Sequence, residues 1–440
     1  MSSRAAGINA TITLVLSTLL HAFTHAYGAM LVPLYLMIAR DLRLPGDKWS
    51  TLIVTVYGLV YAILSYGAGV MADRVNRKAM LGLGLIVNAA AIGLMGLTRS
   101  YDVVLLLAVL AGIGGTVFHP AANALVPEHF PKSPGMAIGL LSIGSGIGFF
   151  AGPQYAGWRA QTAHWHFMRV ANWQRPCVEL GLAGLAFGVL FLLLAREARP
   201  ATRGAATGAA ATGAVNRARI EHPPLGRQRR RCVLAIAAVL GCRDFAGVAS
   251  LSLASIYLQK AMGLDVKRTG LIVGTMMLMG VAANPLAVWL TPGRRRLPAL
   301  AAVMVAAGAA ISLVPLVHGR GPVLAVLCAF QALQLGSYAM SDAAMLERVP
   351  ANVRGRVVGL FLTLAGTFAG LSPWAMGLWT DLMGPRALRQ LPYLAPFATL
   401  GAMMAFAALS TPIIARLGAV QGEAVEAFTE IVPRTLEPAG

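Results

Sequence analysis

Five small or rigid residues recur in one spacing in the two halves of this chain, 220 positions apart. Gly135, Gly139, Gly146, Pro153 and Gly157 are matched by Gly355, Gly359, Gly366, Pro373 and Gly377. Each set lies in a mostly apolar stretch long enough to cross a bilayer. There the backbone must pair within the helix, because lipid offers it no partner. Duplicated sets on membrane-length helices predict two parallel repeats, a plan in which a solute path runs between the halves.

Hydrophobic residues make up 57% of the 440 and charged residues 12%, too little charge to cover a soluble surface of this size. Apolar runs near 10–38, 50–71, 79–98, 103–126, 136–158, 178–195, 233–258, 269–291, 299–317, 323–345, 357–379 and 394–415 predict twelve spans. The run from Gly7 reads as the first span rather than a cleavable leader. The expected fold is an all-α integral membrane protein, with twelve transmembrane helices in two pseudo-symmetric six-helix bundles. Residues 1–196 would form the first bundle and 232–417 the second. Between them 197–231 reads as a basic cytoplasmic linker, and 418–440 as a polar cytoplasmic tail.

The net charge of +19 invites a nucleic-acid partner, but its distribution argues against one. With the N-terminus inside, inner loops hold Arg74, Arg77, Lys78, Lys132, Arg227 to Arg231, Arg294 to Arg296, Arg348, Arg354 and Arg356. Outer loops hold fewer bases, several beside acids. This positive-inside pattern places both termini in the cytoplasm, with the lipid bilayer as the partner of the charge. Cys177, Cys232, Cys242 and Cys328 have no metal-ligand spacing and read as packing residues.

The loop after the second span reads Gly69-Val-Met-Ala-Asp73-Arg74-Val-Asn-Arg77-Lys78. It resembles the G-x-x-x-D-R-x-x-R-K signature of the major facilitator superfamily, which implies that Asp73 latches cytoplasmic helix ends. The matching second-half loop, Thr291 to Arg296, keeps the bases but has no Asp. Gly144, Gly146, Gly148, Gly152-Pro153 and Gly157 resemble the superfamily's antiporter motif, where glycines let helices approach and proline bends one. Ala108 stands where the family often has an arginine before Gly112-Ile-Gly114, so no relay through that arginine carries over. Phe118-His119-Pro120 with Asn123, and the His21 to Tyr35 run, resemble the fosmidomycin-resistance branch of drug exporters. The resemblance implies a bacterial inner-membrane protein.

His21 and His25 are four apart and share a helix face. Such a pair takes up a proton near neutral pH, or stays neutral and braces a helix or a substrate; both readings stand. His119, beside Pro120, either joins the pathway or bonds the freed backbone. Aligning Tyr35 with Tyr257 sets His21 opposite Arg243 and Ala22 opposite Asp244; aligning Pro131 with Pro350 pairs His119 with Tyr338 and Asn123 with Asp342. Intramembrane charges mark functional sites. Asp244 is therefore the expected proton-coupling carboxylate, Arg243 a counter-charge or anion-binding group, and Asp342 a second candidate. A structural ion pair is the alternative, although neighbours about 100° apart on a helix need not pair. Glu128 and Glu347 read as gate or surface partners.

The expected function is secondary active transport by alternating access, most simply proton-coupled efflux of a drug-like or metabolic small molecule by a monomer with no cofactor. The competitors are a proton-coupled importer of an organic anion or other nutrient, and a non-transporting receptor or membrane assembly factor. The chain shows no nucleotide-binding loop, metal constellation or nucleophile–base spacing, so an enzyme is not expected.

Overall fold

The computed structural model describes residues 3–72, 74–161, 172–197, 227–349 and 354–417. Asp73, most of the linker and the 418–440 tail lie outside the described residues. Among the described residues eleven helices are long and apolar enough to cross a membrane. They are α1 (Gly7–Asp41), α2 (Asp47–Ala72), α3 (Arg77–Met95), α4 (Tyr101–His129), α5 (Pro134–Gln161) and α6 (Gln174–Leu194) in the first half. The second half holds α7 (Arg227–Lys260), α8 (Val266–Leu290), α9 (Gly293–Leu316), α10 (Arg320–Glu347) and α12 (Leu391–Leu417). A twelfth helix, α11, lies between α10 and α12 and falls outside that set. Helix α11 comes in two pieces, Arg354–Gly370 and Ser372–Met383.

Prolines account for the breaks, since each removes a donor and its ring crowds the carbonyl four residues back. Pro33 sits in a 3-10 turn, Val32–Leu34, inside α1. Pro120 follows an interruption of α4 at Val117, and Pro373 follows the break of α11 at Leu371. Its sequence counterpart Pro153 lies within an unbroken α5. The duplicated prolines therefore act differently in the two halves.

Packing repeats with a period of six helices. In the first half α1 meets α5, α3 meets α4 and α6, and α2 meets α4. In the second, α7 meets α11, α9 meets α10 and α12, and α8 meets α10. The halves join through α5 with α8 and α2 with α11. Gly144, Gly148 and Gly152 form one stripe of α5, and a Cβ on each would collide with the carbonyls of Thr18, Ala22 and Ala26 on α1. Two four-residue stripes interlock, and only glycine on α5 permits that spacing.

The end carrying the α1–α2 and α7–α8 turns, called distal here, is closed by contacts between the halves. Gly157 abuts the backbone of Val266 and Gly270, and its repeat mate Gly377 abuts Lys48 and Thr51. One turn further on, the Lys267 amide donates to Gln161 Oε1 at 3.2 Å. In the matching place, the amides of Asp47 and Lys48 donate to the Asp381 carboxylate at 2.6 and 3.1 Å. Each half thus satisfies orphan donors at a helix start of the other. Lys260 pairs with buried Asp47, whose Oδ2 also accepts from Thr380 Oγ1 at 2.9 Å.

The opposite, proximal end is open. A Cβ on Gly69, Gly135 or Gly139 would meet nothing within 4 Å, and Tyr66 is 70% exposed. Among the described residues, ion pairs there stay within each half: Arg77 with Glu128, and Arg296 with Glu347, 219 positions on. Both arginines also donate from Nε at 3.1 Å to the carbonyl five residues back, Ala72 and Thr291.

Gly148→Val is expected to destabilise the detergent-solubilised protein by roughly 1–3 kcal/mol, the usual range for overpacking. Gly139→Val, in open space, leaves the melting temperature within experimental scatter. Lys260→Met, which leaves the Asp47 carboxylate without its counter-ion, is expected to raise distal opening. Spin-label distances between α2 and α11 report it, as a longer distal population absent from the unsubstituted protein.

Candidate functional site

A cavity of about 470 Å³ lies between the halves. From the first half His25, Tyr57, Tyr61 and Phe149 line it; from the second, Met277, Asn284, Gln331, Gln334 and Tyr338. A larger groove of about 790 Å³ is lined only by α11, α12 and the turn between them, away from the interface of the halves.

On the first-half side three histidines converge. His21 and His25 stand one turn apart on α1, and the α4 break places His119 beside them. The rings of His21 and His119 meet edge-on at 5.1 Å, those of His25 and His119 at 5.6 Å. His21 Nδ1 lies 2.8 Å from the Leu141 carbonyl, and its Nε2 lies 3.0 Å from His25 Nε2. A carbonyl only accepts, so His21 Nδ1 carries the hydrogen. In the neutral pair its Nε2 then accepts from the N–H of His25. Phe118 stacks on His21 at 4.3 Å and Phe149 covers His25 at 4.3 Å. His21 and His25 already share a helix face four residues apart, and the fold adds His119, bringing one nitrogen of each ring within 4.8 Å of the others.

On the second-half side Arg243 is fully buried on α7. Its Nε donates to Asp244 Oδ1 at 2.8 Å, and Nη1 to the Ser337 carbonyl at 3.2 Å and Ser341 Oγ at 2.7 Å. The guanidinium lies 3.7 Å from the ring centroid of Tyr338, which lines the cavity. Nη2 has no hydrogen-bond partner among the described residues. Asp342 is exposed one turn beyond Tyr338 and follows Ser341, which Arg243 binds. The two neighbours do pair: the long arginine reaches round the helix and overcomes the angular offset between them.

Of the other sequence candidates, Asn123 is exposed and outside the cavity lining. Arg74 is exposed, Arg77 binds Glu128, and the Lys78 amide donates to Glu197 at 2.8 Å. These members of the loop motif make links within the first half, while Asp73 lies outside the described residues. Gly144, Gly148 and Gly152 face α1, whereas the Pro153 carbonyl and Gly157 face Gly270 of α8. Sequence reasoning did not single out Tyr57, Tyr61, Asn284, Gln331 or Gln334. Isolated amides in otherwise apolar spans, two of them three apart on α10, were the signal available for the last three.

Comparison with known proteins fits this geometry. A bacterial homologue of the human lysosomal transporter Spinster, solved in an inward-facing and unoccupied conformation, superposes with a TM-score of 0.71 over 93% of this chain and 98% of that one, at 17% identity. The multidrug resistance protein MdtG of Dickeya zeae is 34% identical over 146 residues, 32% of this chain and 35% of that protein. A probable L-galactonate transporter of Escherichia coli is 26% identical over 255 residues, 56% of this chain and 54% of that protein. The chain thus spans about a third to a half of the length of these curated relatives. Residues 14–373 match the family description Major Facilitator Superfamily, and the chain belongs to that family.

Proposed function

We propose that the protein is a proton-coupled exporter of lipophilic cationic compounds, working by alternating access across a bacterial inner membrane. The observation that carries this reading is the charge count beside the cavity. One guanidinium, Arg243, binds the Asp244 carboxylate and Ser341, and a second carboxylate, Asp342, is the residue after Ser341. With all three ionised the group holds one negative charge in excess, costly at buried Asp244 and less so at exposed Asp342. One proton or one cationic solute cancels that excess equally well. The two ligands therefore compete, and competition at one site is what exchange transport requires.

The walls support the same substrate class. Tyr57, Tyr61, Phe149 and Tyr338 surround the cavity, and aromatic faces attract cations. Relatives named for multidrug and quinolone resistance agree with export. Under the positive-inside orientation the open proximal end faces the cytoplasm, where cargo would enter.

A second reading rests on Arg243 Nη2, which has no partner among the described residues. A proton on Asp244 would free the guanidinium for an anion, so proton and anion would bind together, as an importer of an organic anion needs. The likeness to a probable L-galactonate transporter favours this alternative.

Purified protein in proteoliposomes separates the two readings. An imposed pH gradient is expected to drive ethidium exchange, with apparent affinity falling as pH drops on the binding side. Asp244→Asn, whose amide oxygen can still accept from Arg243 Nε, should abolish the pH-driven component while the elution profile of the folded protein is kept. Undiminished coupling in that variant sinks the assignment. Gradient-driven accumulation of an organic anion, with no ethidium exchange, would establish the importer instead.

A further inference from the structure

The histidine trio lies outside the charge logic above. Three imidazoles from two helices converge beside the cavity with one nitrogen each inside a 4.8 Å sphere of separations. Tetrahedral zinc with bonds of about 2.0–2.1 Å places ligand nitrogens roughly 3.3 Å apart. The closest pair, His21 Nε2 and His25 Nε2, already stands at 3.0 Å. His119 brings the third nitrogen to within 4.8 Å of the other two.

A second observation points the same way. Histidines that bind metal through one ring nitrogen almost always donate from the other, commonly to a backbone carbonyl, which fixes the ring and raises ligand basicity. His21 does this through Nδ1 to the Leu141 carbonyl, with its Nε2 turned to the other rings. Phe118 and Phe149 clamp the outer faces of His21 and His25, so the rings are held before any ion arrives. His25 lines the cavity, leaving a fourth coordination position on the solute side.

We propose that His21, His25 and His119 form a binding site for a divalent transition-metal ion, zinc, cobalt or nickel. The ion would use Nε2 of His21 and one nitrogen each of His25 and His119, with water or a donor group of a bound solute in the fourth position. If Nε2 of His25 is the ligand, its proton moves to Nδ1 of the same ring, so metal binding releases no net proton. An all-nitrogen set selects these ions over magnesium and calcium, which prefer oxygen ligands. The site does not depend on the direction of transport or on Asp244.

The test uses the full chain in detergent, purified through a non-histidine tag and stripped with chelator. Because His164 and His166 are close enough along the chain to chelate, both are replaced by alanine in every sample. Calorimetric titration with zinc or cobalt is expected to show one site per chain, and magnesium none. Cobalt absorption bands should indicate a four-coordinate nitrogen site. His119→Gln should weaken affinity by at least the ~10–100-fold that loss of an outer-shell partner costs, with an unchanged melting temperature in the absence of metal. His21→Ala/His25→Ala/His119→Ala should abolish binding. No uptake by the unsubstituted trio, or uptake undiminished in His119→Gln and in the triple variant, overturns the proposal. Because no flux is measured, failure of the transport reading would leave this result standing.

Discussion

In hydrocarbon, helices gain nothing by hiding apolar side chains from one another, so close approach of their backbones has to hold the bundle together. Helix α5 is where that constraint concentrates. Its Gly144, Gly148 and Gly152 admit the α1 carbonyls, while the Pro153 carbonyl, Gly146 and Gly157 meet α8. One helix therefore fastens the first half internally and to the second half. The corresponding joint between α7 and α11 is built otherwise. There the glycine is Gly241 on α7, facing Ala365 and Phe368, and Phe245 packs on Phe368 at 4.9 Å. Duplication preserved the register of the helices without preserving how each pair is filled.

The contacts between halves fall into two kinds with different physical consequences. Near the centre they are apolar: Gly58 against Gly370, Gly146 against Val281, Gly366 against Ala62. At the distal end polar groups join the Gly157 and Gly377 contacts, with Asp47, Lys260, Thr380 and Asp381 on one side and Gln161 with the start of α8 on the other. Separating polar groups into water costs little, because water replaces each lost partner. Apolar contacts have no such substitute. A body that rocks would keep the central apolar contacts as its pivot and break the distal polar ones as its gate.

Much of this architecture is legible along the chain, because spacing survives folding. The glycine offset anticipates that Gly157 and Gly377 occupy equivalent joints, and the next turn carries Gln161 and Asp381 in the same relation. Asp47, Lys260 and Asp381 were not distinguishable, since before folding each is an ordinary charge at a helix end. His119 could be paired by alignment with Tyr338, but its meeting with His21 depends on the α4 break and on how α1 and α4 cross. Asn123 and its symmetry mate Asp342 share one situation: both are exposed and outside the cavity lining.

The two polar centres divide their tasks by charge. The trio of imidazoles is neutral when each ring holds one proton and can gain only positive charge. The Arg243 cluster starts with one carboxylate in excess and accepts a single positive charge before it is balanced. A monovalent cation leaving in exchange for one entering proton moves no net charge, so the membrane potential cancels and the pH difference alone drives the cycle. An uncharged cargo exchanged for the same proton would carry charge, gaining ~2.3 kcal/mol per 100 mV. Under the proposed exchange, cargo charge set against one excess carboxylate would decide which component of a proton gradient drives the cycle.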